Sequence, residues 1–266
     1  MTDKAPLNPV LKWAGSKRWL IPTLATYFND SVRLVDPFGG AGTVPLGLRP
    51  TECLMSDVNP HLMNFHRWVQ HGLEWTEDCG IEFVYDREVY YQNRSKFNAL
   101  CEAREFWTKE GALLFYYLNR TGFNGLCRFN RSGLFNVPFG SYKTVKLLKS
   151  FGQHQEAMKN WDLYCGDFEN LPLRSDDFVY ADPPYDVEFT QFAPRDFVWD
   201  DQIRLAKWLA KHTGLVVASN QYTTRIVELY RDLGFEVLTR QAPRSISCNG
   251  DRTPAMEIIA IKRPNE

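Results

Sequence analysis

The chain predicts an α/β fold built on a mostly parallel sheet and broken by an insertion. Three observations carry this. Short apolar runs alternate with helix-patterned segments near both ends of the chain. The alternation stops between about residues 60 and 150, where the sequence turns aromatic, charged and glycine-rich. The 266 residues are 44% hydrophobic and 24% charged, enough for one large domain or a core with a smaller one inserted. That mixture excludes disorder as the main state. The longest apolar run, Ala112–Leu118, is far short of a bilayer span. The opening MTDKAPLNPV has no basic-then-apolar leader, so a cytoplasmic protein without a membrane partner is expected.

The first strand is expected over Arg33–Phe38 and closes in the turn Gly39-Gly40-Ala41-Gly42. A second, Glu52–Asp57, ends in an acid. Asn59 then caps a helix with Pro60 in its first position and Leu62, Met63, Phe65, Trp68 and Val69 on its apolar face. From Gly72 to Gly111 the pattern reads as mostly helical, and Ala112–Arg120 as the end of a buried helix. Asn130-Arg131-Ser132-Gly133, between Leu126–Phe129 and Leu134–Val137, reads as the loop of a hairpin. Strands are expected again at Leu163–Cys165, Phe178–Ala181, Leu215–Ser219, Phe235–Thr239 and Met256–Ile261. Helices Asp200–Thr213 and Thr223–Leu233 separate them, the latter stopped by Gly234.

The net charge of −1 announces no polyanionic partner, but the charges are segregated. Between Gly111 and Gln155 there is no acid, while Arg120, Arg128, Arg131, Lys143, Lys146 and Lys149 all fall there. Asp162–Glu188 is acid-rich, with Arg174 as its only base. A solvated face explains this as readily as a partner does. The six cysteines form no C-x-x-C pair and are read as reduced thiols. His61, His66 and His71 lie five apart, which matches no zinc spacing, and no metal is expected.

Three motifs can carry chemistry. Asp36-Pro37-Phe38-Gly39-Gly40-Ala41-Gly42 puts glycines at the carboxyl end of a strand, where backbone can approach a ligand closely. Its spacing is neither G-x-G-x-x-G nor a P-loop. Asp57, ending the next strand, is placed to take the hydroxyls of a ribose. A tight turn with no ligand is the alternative. The second motif is Asp182-Pro183-Pro184-Tyr185, after the apolar strand Phe178–Ala181. Two prolines remove two amide donors and stiffen the chain. They hold the Asp182 carboxylate and the Pro183 carbonyl as acceptors, with Tyr185 supplying a flat face. No base lies nearby in sequence to neutralise Asp182. Two fixed acceptors and a stacking surface suit a planar ring bearing an amino group, such as a nucleobase. The third is Leu11-Lys12-Trp13-Ala14-Gly15-Ser16-Lys17, in which Trp13 could cover an adenine or a sulfonium, or serve as a core anchor, and Lys17 could reach a carboxylate.

Together these segments resemble the DNA adenine-N6 methyltransferases of the Dam type, the D12 class, in the motif order that places the recognition domain between the cofactor and catalytic motifs. FYYLNRTGFNGLCRFNRSGLFNVPFGSYK, residues 115–143, is similar to the recognition hairpin region of that family, and RSISCNG, residues 244–250, is a further match. The resemblance runs from about Leu11 to about Arg252. It implies a Rossmann-like S-adenosylmethionine-dependent core, residues 1–59 and 151–266, and a mainly helical, hairpin-bearing DNA-recognition domain, residues 60–150. It implies methyl transfer from S-adenosylmethionine to N6 of a flipped adenine in double-stranded DNA, within GATC, by an enzyme expected to be monomeric. Trp13, Lys17, Phe38, Gly39, Gly40, Gly42, Asp57, Asp167 and Asp182 would line the cofactor. Asp182, Pro183 and Tyr185 would carry the chemistry. Lys12, Phe123, Asn124, Leu126, Arg128, Pro138 and Tyr142 would contact DNA. Thr121 and Phe123 stand where the family favours more tyrosine-like residues, and Asp186–Trp199 is shorter than in bacterial Dam. Methylation of cytosine N4 or of a protein glutamine needs similar acceptor geometry, but such enzymes usually carry Ser or Asn in place of Asp182.

Overall fold

The computed structural model describes residues 5–185, 197–242 and 255–264. The similarity at 244–250 and most of the shortened stretch after Tyr185 lie outside them. Seven strands form one sheet in the order β3-β2-β1-β4-β5-β7-β6. They are β1 (Leu34–Asp36), β2 (Cys53–Asp57), β3 (Trp161–Cys165), β4 (Phe178–Ala181), β5 (Val216–Gln221), β6 (Glu236–Ala242) and β7 (Ala255–Lys262). All five expected late strands are present, within a few residues of their predicted bounds. The first strand is shorter than predicted, because Pro37 has no amide to donate and Phe38 turns its N–H onto the Asp36 carboxylate at 3.2 Å. The first five strands pair in parallel, and β7 alone runs antiparallel to its neighbours β5 and β6.

Alternate strand residues feed two separate apolar clusters, as a sheet covered on both faces requires. On β4, Phe178 and Tyr180 join one cluster while Val179 and Ala181 join the other. The second cluster is closed by α7 (Trp199–Lys211) and α8 (Thr224–Asp232), through Leu205, Leu209, Ile226 and Tyr230. The first lies under α3 (Pro60–Gln70) and extends through α4 (Arg87–Ala103) and α5 (Lys109–Thr121) to Phe135 and Val137. The polar side chain of Asn59 starts α3 as expected, accepting from the amides of His61 and Leu62 at 3.0 and 3.2 Å. Of the shorter helices, α1 is Ile21–Leu24, α2 is Thr43–Leu48 and α6 is Gly152–Met158.

Two expectations need correction. Residues 73–86 are not helical, apart from the 3-10 turn Glu77–Cys79. They are drawn out instead by long-range bonds: Trp75 donates its amide to the Lys149 carbonyl at 2.8 Å, and its indole to the Ile81 carbonyl at 2.8 Å. The hairpin exists, but as a single bridge, Phe129↔Phe135, rather than a full ladder. Its second arm is held elsewhere. Asn98 on α4 accepts from the Phe135 amide at 2.8 Å and donates to its carbonyl at 3.2 Å. The Tyr90 hydroxyl and Arg94 donate to the Val137 carbonyl at 2.8 and 3.2 Å. Backbone groups satisfied by helix side chains need no strand partner.

Among the described residues no helix is long and apolar enough to cross a membrane, and no group of His, Cys, Asp and Glu is arranged to hold a metal. The five described cysteines are free.

Candidate active site and nucleic-acid interface

In a sheet of this order the progression of the chain reverses between β1 and β4, and sheets of this type bind ligands beyond the carboxyl ends of the strands at such a point. The glycine turn leaves β1 there, Asp57 closes β2 beside it, and Asp182-Pro183-Pro184-Tyr185 leaves β4. Gly40 and Gly42 adopt φ of 50° and 75°, a conformation costly to any residue with a Cβ. A Cβ on Gly40 would sit 2.9 Å from the Trp13 indole nitrogen, so the expected Trp13 lies directly over the turn. Asp57 accepts the Gly40 amide on one oxygen at 3.2 Å and the Asn59 amide on the other at 2.8 Å. Burial pushes its carboxyl up to about 6. Phe38 packs its ring 5.7 Å from both Phe168 and Phe197.

Asp182 is not left without a base, as its sequence neighbourhood suggests. Lys17 places its ammonium 3.2 Å from Asp182 Oδ1 and 3.6 Å from Glu257. The same ammonium lies 4.6 Å from the centre of the Tyr185 ring. Within the chain Lys17 therefore reaches two carboxylates, those of Asp182 and Glu257. Ser219 donates to the same Oδ1 at 2.8 Å. Among the described residues nothing donates to Oδ2. Burial raises the Asp182 carboxyl above its ordinary range, while Lys17 and Ser219 pull it down. Asp36 and Glu257 are raised in the same way, mainly by burial. Asp36, Asp57 and Asp182, at the carboxyl ends of β1, β2 and β4, thus gather at one end of the sheet, with Lys17 the one buried ammonium beside Asp182 among the described residues.

Asp167 sits at the next strand end, but its carboxylate is gripped by Arg204 at 2.7 and 2.9 Å, and Arg204 also reaches Glu169 and Asp201. Ser219, Gln202, Arg204 and Glu257 were missed by sequence reasoning. The available signal was Ser219-Asn220, polar residues late in a strand that begins apolar; both are fully buried.

A second cluster gathers most of the residues expected at DNA. The Lys12 ammonium lies 3.5 Å above the Tyr142 ring and donates to the Arg120 carbonyl at 3.1 Å. Burial, with help from the Arg120 charge, lowers it to about 8. The Tyr142 hydroxyl donates to the Gly122 carbonyl at 2.6 Å, and the Phe123 amide to the Pro138 carbonyl at 2.9 Å. Phe123 and Asn124 form an exposed tip, with Asn124 at a φ of 52°. Leu126 follows, half-buried beside the core. Arg128 is exposed on the hairpin arm, steadied by Asn136 at 2.7 Å. Lys12 and Trp13 are adjacent, so one dipeptide touches both clusters. Of the basic residues in this stretch, Arg120 turns inward, donating to the Val10 carbonyl at 3.2 Å, whereas Arg131, Lys143, Lys146 and Lys149 are exposed.

The doubly wound sheet thus carries a glycine turn after β1, an acid at the end of β2 and a di-proline corner after β4. The chain belongs to the D12 class N6 adenine-specific DNA methyltransferases, whose family description matches residues 13–246. It is 34% identical to the retron Ec67 DNA adenine methylase of Escherichia coli, over 96% of this chain and 91% of that one. It is 35% identical to a DNA adenine methylase of Vibrio cholerae, over 96% of both chains. It is 31% identical to the type II methyltransferase M.MjaIII of Methanocaldococcus jannaschii, over 92% of this chain and 95% of that one.

Proposed function

We propose that this enzyme methylates N6 of an adenine extruded from duplex DNA, within GATC, using S-adenosylmethionine. The observation that carries the reading is the half-filled acceptor set of the di-proline corner. Asp182 Oδ1 is occupied by Ser219 and Lys17, and Oδ2 has no donor among the described residues. The Pro184 carbonyl accepts from Gln202 at 2.8 Å, and the Pro183 carbonyl accepts from no described residue. One carboxylate oxygen and one carbonyl therefore stand ready for the two N–H groups of an exocyclic amine.

The residues at the crevice fit S-adenosylmethionine. Asp57 offers carboxylate oxygens to ribose hydroxyls, Trp13 and Phe38 offer apolar cover, and Asp57 and Asp182 supply negative charge that suits a sulfonium. When bound, the cofactor supplies an electrophilic methyl and a neutral leaving group. The chain supplies position. An adenine amino nitrogen is a poor nucleophile because its lone pair is delocalised into the ring. Acceptance of its two N–H groups by Asp182 and Pro183 favours a pyramidal nitrogen with an aimed lone pair. Tyr185 offers its face to the extruded ring and offsets part of an unstacking cost of a few kcal/mol. Asp182 acts as an acceptor and need not complete a proton transfer before the bond forms.

Residues 60–150 would form the DNA grip. Lys12, Tyr142 and Pro138 would frame the site, Phe123, Asn124 and Leu126 would fill the space left in the stack, and Arg128 would read a base pair. The exposed Arg131, Lys143, Lys146 and Lys149 would meet phosphates, making affinity strongly salt-dependent.

The test is incubation with duplex DNA of mixed sequence and S-adenosylmethionine, followed by digestion to nucleosides, mass spectrometry, and mapping of modified positions. N6-methyldeoxyadenosine at GATC is expected. N4-methyldeoxycytidine, or no modified nucleoside, refutes the reading.

A further inference from the structure

Burying a hydroxyl or an amide inside a sheet is costly unless each finds a partner. Ser219 and Asn220 sit side by side at the carboxyl end of β5, both 0% exposed. Successive strand side chains point to opposite faces. Val217 belongs to the α3–α5 cluster and Ala218 to the α7–α8 cluster, so Ser219 emerges on the first face and Asn220 on the second.

Each reaches the di-proline corner from its own side. Tyr180 on β4 and Ser219 share a hydrogen bond of 3.0 Å, and Ser219 donates its single proton to Asp182 at 2.8 Å. Tyr180 must therefore be the donor to Ser219, and the two hydroxyls form a directed chain ending on Oδ1. On the opposite face Asn220 donates to the Gln202 side-chain oxygen at 2.9 Å, which points the Gln202 amide nitrogen at the Pro184 carbonyl, 2.8 Å away.

We infer that Ser219 and Asn220 are a pair of positioning residues that select which acceptors of the corner meet the substrate amine. Ser219 fills Oδ1 and so presents Oδ2. Asn220, through Gln202, fills the Pro184 carbonyl and so presents that of Pro183. The inference rests on the proposed adenine chemistry and adds to it the device that fixes the acceptors.

The test compares single-turnover methyl transfer by wild type, Ser219→Ala, Ser219→Thr and Gln202→Ala across pH, with cofactor and DNA affinities measured separately. Ser219→Ala is expected to slow transfer roughly 10- to 100-fold, the range for losing a hydrogen bond to a charged group. Both affinities should stay within about twofold, the usual sign of a transition-state loss. Its acid limb should move to higher pH. Asp182 faces Lys17, Asp36, Glu257, Tyr180 and Tyr185 as well as Ser219, and loss of the Ser219 donor removes one of the influences that keep it ionised. Ser219→Thr, which keeps the hydroxyl on a β-branched side chain suited to a strand, should restore both rate and limb. Gln202→Ala should slow transfer without moving the limb. Equal losses in binding and rate, or an unmoved limb in Ser219→Ala, overturn the inference while leaving the function standing. If Ser219→Ala does not fold, Tyr180→Phe replaces it, and an unchanged rate and limb there overturn the inference. A wild type that methylates no adenine overturns both.

Discussion

Strand β4 is flanked by an aspartate just beyond each of its ends, and each is matched to a distant base. Before its first residue, Asp177 meets Arg33. The guanidinium takes both carboxylate oxygens, at 3.0 and 2.8 Å, and also donates to the Pro172 carbonyl at 2.8 Å. The Arg174 amide adds a further donor to Asp177 at 2.6 Å. After its last residue, Asp182 meets Lys17 on one oxygen only, within a group of buried carboxylates that outnumber the cation. The first pair is saturated and the second is left open. Arg presents a planar fork that closes both oxygens of a carboxylate, whereas Lys presents a point charge that leaves room for another donor. The saturated end locks β1 to β4, and the open end is where the proposed substrate amine would bind.

The sharpest way to break this contrast is Asp182→Ala. Methyl transfer should fall by roughly a thousandfold, as expected when a preorganised charge-placement group is lost. DNA affinity, measured by fluorescence anisotropy, should stay within a few-fold. Turnover near that of wild type would show that the open end is not where the chemistry lies.

Asp177→Ala should do the opposite. It leaves the buried Arg33 only the exposed Asp162 carboxylate, 3.7 Å away, and the cost is about 3–5 kcal/mol of stability. Thermal denaturation should record a large fall in Tm. Transfer by the fraction that stays folded at low temperature should remain close to wild type. A specific loss of transfer with unchanged Tm would erase the distinction between the two ends.

The contrast also explains what could be read from the sequence. Strands and their glycine and proline punctuation are local, and the parallel α/β sheet with its crevice motifs was legible from them. Asp57 and the Asp182 corner stood out because each puts an acid at the carboxyl end of a strand, where sheets of this type bind their ligands. The partners of Asp182 were not legible. Lys17, Ser219 and Glu257 come from distant segments, and only the strand order β4-β5-β7 brings the last two beside the corner. Residues 73–86 were misjudged for the same reason, since bonds to Lys149 override their local pattern. The hairpin was located correctly, but its dependence on Asn98, Tyr90 and Arg94 of α4 left no trace in its own sequence.

A smaller effect separates recognition from both ends of β4. Arg128→Ala should cost about 1–3 kcal/mol of discrimination at one base pair and leave other positions unchanged. Methylation of a randomised library reads this directly. A uniform loss over all sequences would make Arg128 a phosphate contact.

The smallest expected effect tests the open end without a mutation. Burial lifts the Asp57 carboxyl to about 6, so the unliganded protein takes up a proton there as pH falls. In the proposed complex, a nearby sulfonium and ribose hydroxyls donating to Asp57 would favour its ionised form. Binding must then expel that proton, and affinity is full above about pH 6 and lost below it. Between pH 7 and pH 5 the affinity for S-adenosylmethionine should weaken by about tenfold, the consequence of one proton with this pKa. Titration calorimetry in buffers of different ionisation enthalpy should detect proton release on binding near pH 5.5. Release should vanish near pH 8. Affinity that is flat across this range, with no proton released, would mean that Asp57 is not at the cofactor, and that the charge imbalance at this end of the sheet serves something other than a cation.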